Sequence, residues 1–99
     1  MSIYRFSDAF PKNELYGLTS QTRRAAVSIA ANIAEGFKKK TKPDKANYLN
    51  IAQGSISELD TQVELALILE YIDSKLYNDL MEKLSTISKM MFGLSRSLK

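Results

Sequence analysis

Glycine and proline together occur only six times in the 99 residues, at Pro11, Gly17, Gly36, Pro43, Gly54 and Gly93. These are the residues that punctuate regular structure, so the stretches between them must form long elements. Within those stretches apolar side chains return every three or four positions, and no convincing run alternates with period two. The chain therefore reads as a few long helices. A length of 99 residues gives one domain (1–99) with room for one core, and 44% apolar with 25% charged residues is the composition of an ordinary soluble globule.

Ile3, Phe6 and Phe10, with Tyr4 beside them, follow helical spacing for one or two turns before Pro11. A helix that short does not hold alone and must dock on something. The second helix is expected from Leu18 to Phe37, with Leu18, Thr22, Ala25, Ile29 and Ile33 on one stripe. Five alanines within residues 25–34 favour helix and let neighbours approach closely. Gly36 falls in its last turn, and the lysines that follow suit the negative end of the helix dipole.

The third helix opens at Thr41-Lys42-Pro43-Asp44, where Thr41 caps, Pro43 is tolerated and Asp44 stands as a capping-box acid. Leu49, Ala52, Ile56, Leu59, Val63 and Ala66 continue it, and the pattern extends to Tyr71-Ile72, giving a helix of roughly 30 residues and ~45 Å. Gly54 sits in its middle at about 1 kcal/mol relative to alanine, a cost that close contact with a neighbour beside Ser55 and Ser57 offsets. Asp73 caps the fourth helix, whose Leu80, Leu84, Ile87, Met91, Leu94 and Leu98 make the cleanest heptad seam in the chain. The expected fold is all-α, an up-and-down antiparallel four-helix bundle with a truncated N-terminal helix. Three long helices and a stub leave part of such a core uncovered, and a second copy is a natural cover.

The chain has neither histidine nor cysteine. That removes Ser-His and Cys-His catalysis, thiol chemistry, disulfides and ordinary zinc sites. Only carboxylates remain as metal ligands, and Glu58, Asp60 and Glu64 read more plainly as a solvated helix face. No glycine-rich phosphate loop is present. A non-enzyme without cofactor or metal is expected. The start Met1-Ser2-Ile3-Tyr4-Arg5 has no apolar run, and no stretch approaches the ~20 apolar residues of a membrane span, so a cytoplasmic protein with no membrane partner is expected.

Charge carries the main functional signal. Residues 1–50 hold nine Lys/Arg against four Asp/Glu, and residues 51–99 hold five against seven. Such asymmetry suits a polyanion, or two faces that attract each other between subunits. Five lysines (Lys38, Lys39, Lys40, Lys42 and Lys45) fall within eight positions. With Arg23 and Arg24 they are the candidate nucleic-acid ligands; the alternative is a solubilising loop. Only Phe37 and Tyr48 flank the run, so contacts would read backbone or shape rather than stacked bases. Arg23 and Arg24 open the second helix, where the dipole disfavours cations and calls for partners. Arg24, Ser28 and Glu35, with Asn32 adjacent, form a polar seam in which Arg24 pairs with an acid such as Glu58. The same seam also suits a subunit interface or a ligand.

These residues carry a resemblance. Gly17-Leu18-Thr19-Ser20-Gln21, Arg23-Arg24-Ala25-Ala26-Val27-Ser28-Ile29 and Asn32-Ile33-Ala34-Glu35-Gly36 resemble the signature of the 23S rRNA intervening-sequence protein family, also called the four-helix bundle protein family. Tyr48-Leu49, Ile51-Ala52-Gln53-Gly54-Ser55, Glu58-Leu59-Asp60-Thr61-Gln62 and Tyr71-Ile72 are similar to its second block, and Gly93-Leu94-Ser95-Arg96-Ser97-Leu98 to its end. Thr22 stands where the family usually has isoleucine, Ala30 where it has proline, Asp60 where it has glutamate and Glu70 where it has glycine. Of the family's full first helix only the end, around Tyr4-Arg5-Phe6 to Phe10-Pro11, is present. The resemblance implies a bacterial up-and-down bundle, some members being encoded within 23S rRNA genes. It also implies likeness to the accessory protein of diversity-generating retroelements, a basic homo-oligomeric pentamer that binds a reverse transcriptase and nucleic acid. The reading that results is a non-enzymatic oligomeric bundle that binds structured RNA or DNA through a basic surface. The alternative is a protein–protein adaptor, such as an accessory subunit of a nucleic-acid enzyme.

Overall fold

A computed structural model describes residues 2–14 and 17–98, with the side chains of Ser2 and Tyr4 outside the description. Its elements are α1 (Ser2–Asp8), a 3-10 turn (Lys12–Glu14), α2 (Leu18–Lys38), α3 (Lys42–Ile68) and α4 (Ser74–Ser97). Among the described residues there is no strand. The body measures 43 × 24 × 18 Å, and the 27 residues of α3 span about 40 Å at 1.5 Å per residue.

The two capping expectations hold. Thr41 Oγ1 accepts from the Asp44 N–H at 3.3 Å, and Asp73 Oδ1 accepts from the Leu76 N–H at 2.9 Å. Each satisfies one of the orphan donors that a helix start leaves. The α2 helix runs unbroken through Ala30, where a proline would have kinked it.

The end of α3 departs from expectation. Apolar periodicity runs on to Tyr71-Ile72, yet the helix stops at Ile68. The Tyr71 N–H donates to Ala66 O at 2.9 Å and the Glu70 N–H to Leu67 O at 3.0 Å, the paired bonds of a Schellman stop. Glu70 sits at φ 61°, the left-handed conformation that glycine adopts without strain. Tyr71 and Ile72 still turn inward, but from the corner.

The core is built on α3. Leu49, Ala52, Ile56, Leu59, Val63 and Ala66 are buried along it, with Ala25, Ala26 and Ile29 of α2 on one side and Leu80, Leu84 and Met91 of α4 on the other. The small side chains let α2 lie close to α3. At Gly36 an added Cβ would come 3.3 Å from Tyr48 Cβ and 3.6 Å from Lys45 O, so a side chain there would press on α3. Thr22, fully buried in place of an apolar residue, donates its hydroxyl to Thr19 O at 2.9 Å and so carries its own partner.

The α1 stub docks as its length requires. Ile3, Phe6 and Phe10 are buried, and the Phe6 and Phe10 rings meet edge-on at 4.7 Å. Between α2 and α4 the core stays open. A groove of about 410 Å³ runs there, lined by apolar residues including Ile3, Ile29, Ile33, Phe37, Leu84 and Met91. It marks the uncovered side that a stub and three long helices leave. No helix among the described residues is long and apolar enough to cross a membrane.

Candidate nucleic-acid interface

The C-terminus of α2 and the N-terminus of α3 meet at a corner of three residues, and the lysine run wraps it. Lys38 Nζ lies 3.7 Å from Glu35 Oε1, both groups well exposed. Lys39 places its ammonium 5.0 Å from the centre of the Tyr48 ring, a cation–π contact that holds the side chain against α3. Lys40 and Lys42 are exposed, and Lys45 is half-buried. Lys45 lines a shallow pocket of about 230 Å³ with Phe37, Leu49, Leu94 and Leu98.

That pocket makes a connection that the reading of the sequence missed. It joins the lysine corner to the last turn of α4 through Leu94, Ser97 and Leu98. The signal was topological: in an antiparallel hairpin the end of α4 returns to the start of α3. Lys42 and Lys45 stand in the first turn of α3, beside the positive end of its dipole, where cations are disfavoured. With neighbouring lysines that repel them, they make a positive field that bundle stability does not require.

The two arginines lie elsewhere. Arg24 and Lys38 are fourteen residues apart on one helix, about 21 Å at 1.5 Å per residue. Arg23 is committed within the fold: its Nε donates to Ser7 Oγ at 2.9 Å and its Nη2 to Asp8 Oδ1 at 2.7 Å. It has the partner that a cation at a helix start needs, and that partner clamps α1 onto α2.

Arg24 belongs to the polar seam. It lines a cleft of about 220 Å³ with Gln21, Ser28, Glu58 and Gln62, between α2 and α3. The expected Arg24–Glu58 pair is not among the ion pairs of the described residues, although both groups border the cleft. Both side chains belong to exposed residues, where separate hydration competes well with pairing. Ser28 and Ser55 share a 2.8 Å hydroxyl hydrogen bond, and Asn32 Nδ2 donates to Ser28 O at 2.8 Å and Ser28 Oγ at 3.1 Å. Glu35, on the same face of α2, turns instead to Lys38. Gln62 is a residue missed. It is buried, and its Oε1 has no hydrogen-bond partner among the described residues. Its spacing from Ser55 and Glu58 was the signal in the sequence.

The carboxylates considered for a metal do not gather. No group of three metal-binding side chains occurs among the described residues. Asp60 lines a separate groove of about 460 Å³ against Met81, Ser85 and Phe92 of α4. Burial, and then the negative charge of Glu64, raise its pKa above the ordinary aspartate value.

Compared with curated proteins, the chain has no match. A family model described as 23S rRNA-intervening sequence protein matches residues 1–93, and the chain belongs to that family.

Proposed function

We propose that the protein is a non-enzymatic, oligomeric helical bundle that binds structured RNA or DNA through its lysine corner. The observation that carries this is the gathering of Lys38, Lys39, Lys40, Lys42 and Lys45 at the corner between α2 and α3, on one end of the bundle. Such a surface binds phosphates with little regard for sequence, and its affinity falls steeply with salt. Arg23 contributes by holding the fold, and Arg24 lies too far from the corner to share a small footprint with it. The homo-oligomer rests on the uncovered core and on the family resemblance, which implies a pentamer.

The test is a mobility-shift assay with rRNA fragments at low salt. Replacing Lys38, Lys39, Lys40 and Lys42 by glutamate should abolish the shift. Neutralising single lysines should each reduce the salt slope by about 0.7 to 0.9 for every phosphate that the lysine neutralised. No shift at low salt, or one that survives the fourfold reversal, defeats the reading. Light scattering at micromolar concentration should return more than one chain per particle, and a monomer mass removes the oligomer.

One observation favours the adaptor as a second reading. The α2–α4 groove is apolar and of a shape that accepts a partner's helix. Pull-down with and without nuclease separates the two: a partner kept after nuclease favours the adaptor.

A further inference from the structure

The lysine corner carries an exposed aromatic ring and a pocket beside it. Phe37 immediately precedes Lys38 in the last turn of α2 and stands 62% exposed. Among the described residues its ring meets no other ring and no cation. Tyr48, the other aromatic that flanks the lysine run, is half-buried and already engaged by the Lys39 ammonium. Two flanking aromatics are too few for a run of stacked bases, but the fold leaves one of them free, enough for a single base.

Phe37 borders two hollows. One is the α2–α4 groove of about 410 Å³, whose lining residues are all apolar. The other is the pocket of about 230 Å³, where Lys45 and Ser97 join apolar walls from Leu49, Leu94 and Leu98. That volume falls below the ~300–1,000 Å³ of pockets for drug-sized molecules, and it suits one planar base rather than a helix. A nucleobase has apolar faces and a polar edge, so the hollow that holds Lys45 and Ser97 leaves fewer of its groups unmatched. Lys45 takes part in no ion pair among the described residues, and Lys38 meets only the exposed Glu35, at 3.7 Å. Both ammoniums are thus available to the phosphates on either side of such a base.

We propose that this pocket takes a single unpaired nucleobase, stacked on Phe37 with Lys38 and Lys45 at its flanking phosphates. The inference rests on the proposed nucleic-acid binding and narrows its substrate. The preferred ligand is a structured nucleic acid that presents a bulged, looped or terminal base, in preference to a uniform duplex. A base inside a duplex reaches such a pocket only after it is unpaired and unstacked, whereas a base that is already unpaired is extruded at least cost. Every base has a π-face, so a stack on Phe37 selects the unpaired state and not a sequence. With one free ring, the site holds one base and not a tract.

Three RNA hairpins test this by mobility shift: a fully paired stem, the same stem with one bulged nucleotide, and that stem with an abasic residue at the bulge. The abasic stem keeps the phosphates of the bulge and lacks only the base. The wild-type chain should bind the bulged stem roughly 5- to 150-fold more tightly than the abasic one, the worth of one base–aromatic stack, and more tightly than the paired one. Phe37→Ala should remove that preference and leave the salt slope unchanged, because the phosphate contacts remain. Lys45→Gln should instead weaken all three stems and lower the slope. The chain has no tryptophan, so Phe37→Trp should keep the preference and report the stack as a fluorescence change with the bulged stem and not with the abasic one. Circular dichroism of each variant keeps unfolding apart from weakened binding, and the abasic comparison needs no variant at all. An abasic stem bound as tightly as the bulged one overturns the proposal, as does a Phe37→Ala variant that keeps the preference. Equal binding of all three stems removes this inference and leaves the lysine corner standing, whereas no binding of any stem at low salt defeats both.

Discussion

The two helix–helix corners of the bundle are both short, three and five residues, and have opposite characters. The α3–α4 corner is knitted into the fold. Paired Schellman bonds close α3, Asp73 caps α4, the Phe10 and Tyr71 rings lie 5.5 Å apart, and the Tyr71 hydroxyl donates to Glu14 Oε2 at 2.7 Å. The α2–α3 corner has the Thr41 cap and the Lys39–Tyr48 contact, and otherwise presents cations to solvent, two of them against a helix dipole. One corner lowers the free energy of the fold, and the other holds charge that the fold does not need. A surface kept at that cost is where a ligand is to be sought.

The largest test of the contrast is at the knitted end. Phe6 is fully buried under α1 and anchors the stub beside Phe10 and Tyr71. Phe6→Ala should destabilise the protein by about 3–5 kcal/mol, the cost of an emptied aromatic site. Urea denaturation measures it, and a loss below about 1 kcal/mol would mean that α1 is dispensable to the core. The effect on nucleic-acid binding by the molecules that remain folded should be small, because Phe6 and the lysine corner lie on different elements.

Next in size is Glu70→Gly. A glutamate at φ 61° bears the steric cost of the left-handed region, roughly 1–2 kcal/mol, and glycine does not. Part of that gain is returned as greater freedom of the unfolded chain, so a net stabilisation of about 0.5–1 kcal/mol is expected. An unchanged or lowered melting temperature would show that Glu70 is not held in that conformation.

This residue also shows why some of the structure was legible and some was not. The start of α3 was readable because a threonine followed three residues later by aspartate is a local signal. Its end was not, because the stop is made by a glutamate, while Leu67, Ile68, Leu69, Tyr71 and Ile72 keep the apolar pattern running. The α2 helix was readable from its alanines and its stripe. At the candidate interface the lysine run was plain, since it is consecutive. The closing of the last turn of α4 on Lys45 depends on how α4 returns along the bundle. Arg23 finds Ser7 and Asp8 some fifteen residues away in sequence, and Gln62 is left unmatched only by the way α2 and α3 meet. Those are tertiary facts, and no local pattern encodes them.

A smaller effect is expected at the exposed corner. Lys42 is the first residue of α3, where an acid suits the dipole and a base does not. Lys42→Glu should raise stability by about 0.3–1 kcal/mol at low ionic strength, and salt should diminish the gain. The same variant should weaken nucleic-acid binding. Opposite signs in the two measurements are what a functional cation at this position requires, and a variant that loses both stability and binding would place Lys42 among the structural residues.

The last effect is confined to alkaline pH. Tyr71 donates to the Glu14 carboxylate, and this hydrogen bond, with burial and the nearby negative charge as lesser causes, raises its pKa above the ordinary value of 10.0. The unfolded chain then loses the phenol proton first as pH rises. The stabilisation is complete below pH 10 and is lost as pH climbs through the raised folded value, because a phenolate cannot donate to Glu14. Tyr71→Phe removes that proton from both states. Its stability should therefore fall less steeply than the wild type's above pH 10, the other tyrosines contributing equally to both curves. Parallel alkaline limbs would mean that the hydroxyl does not hold the 3-10 turn to the α3–α4 corner, and much of the contrast between the two corners would go with it.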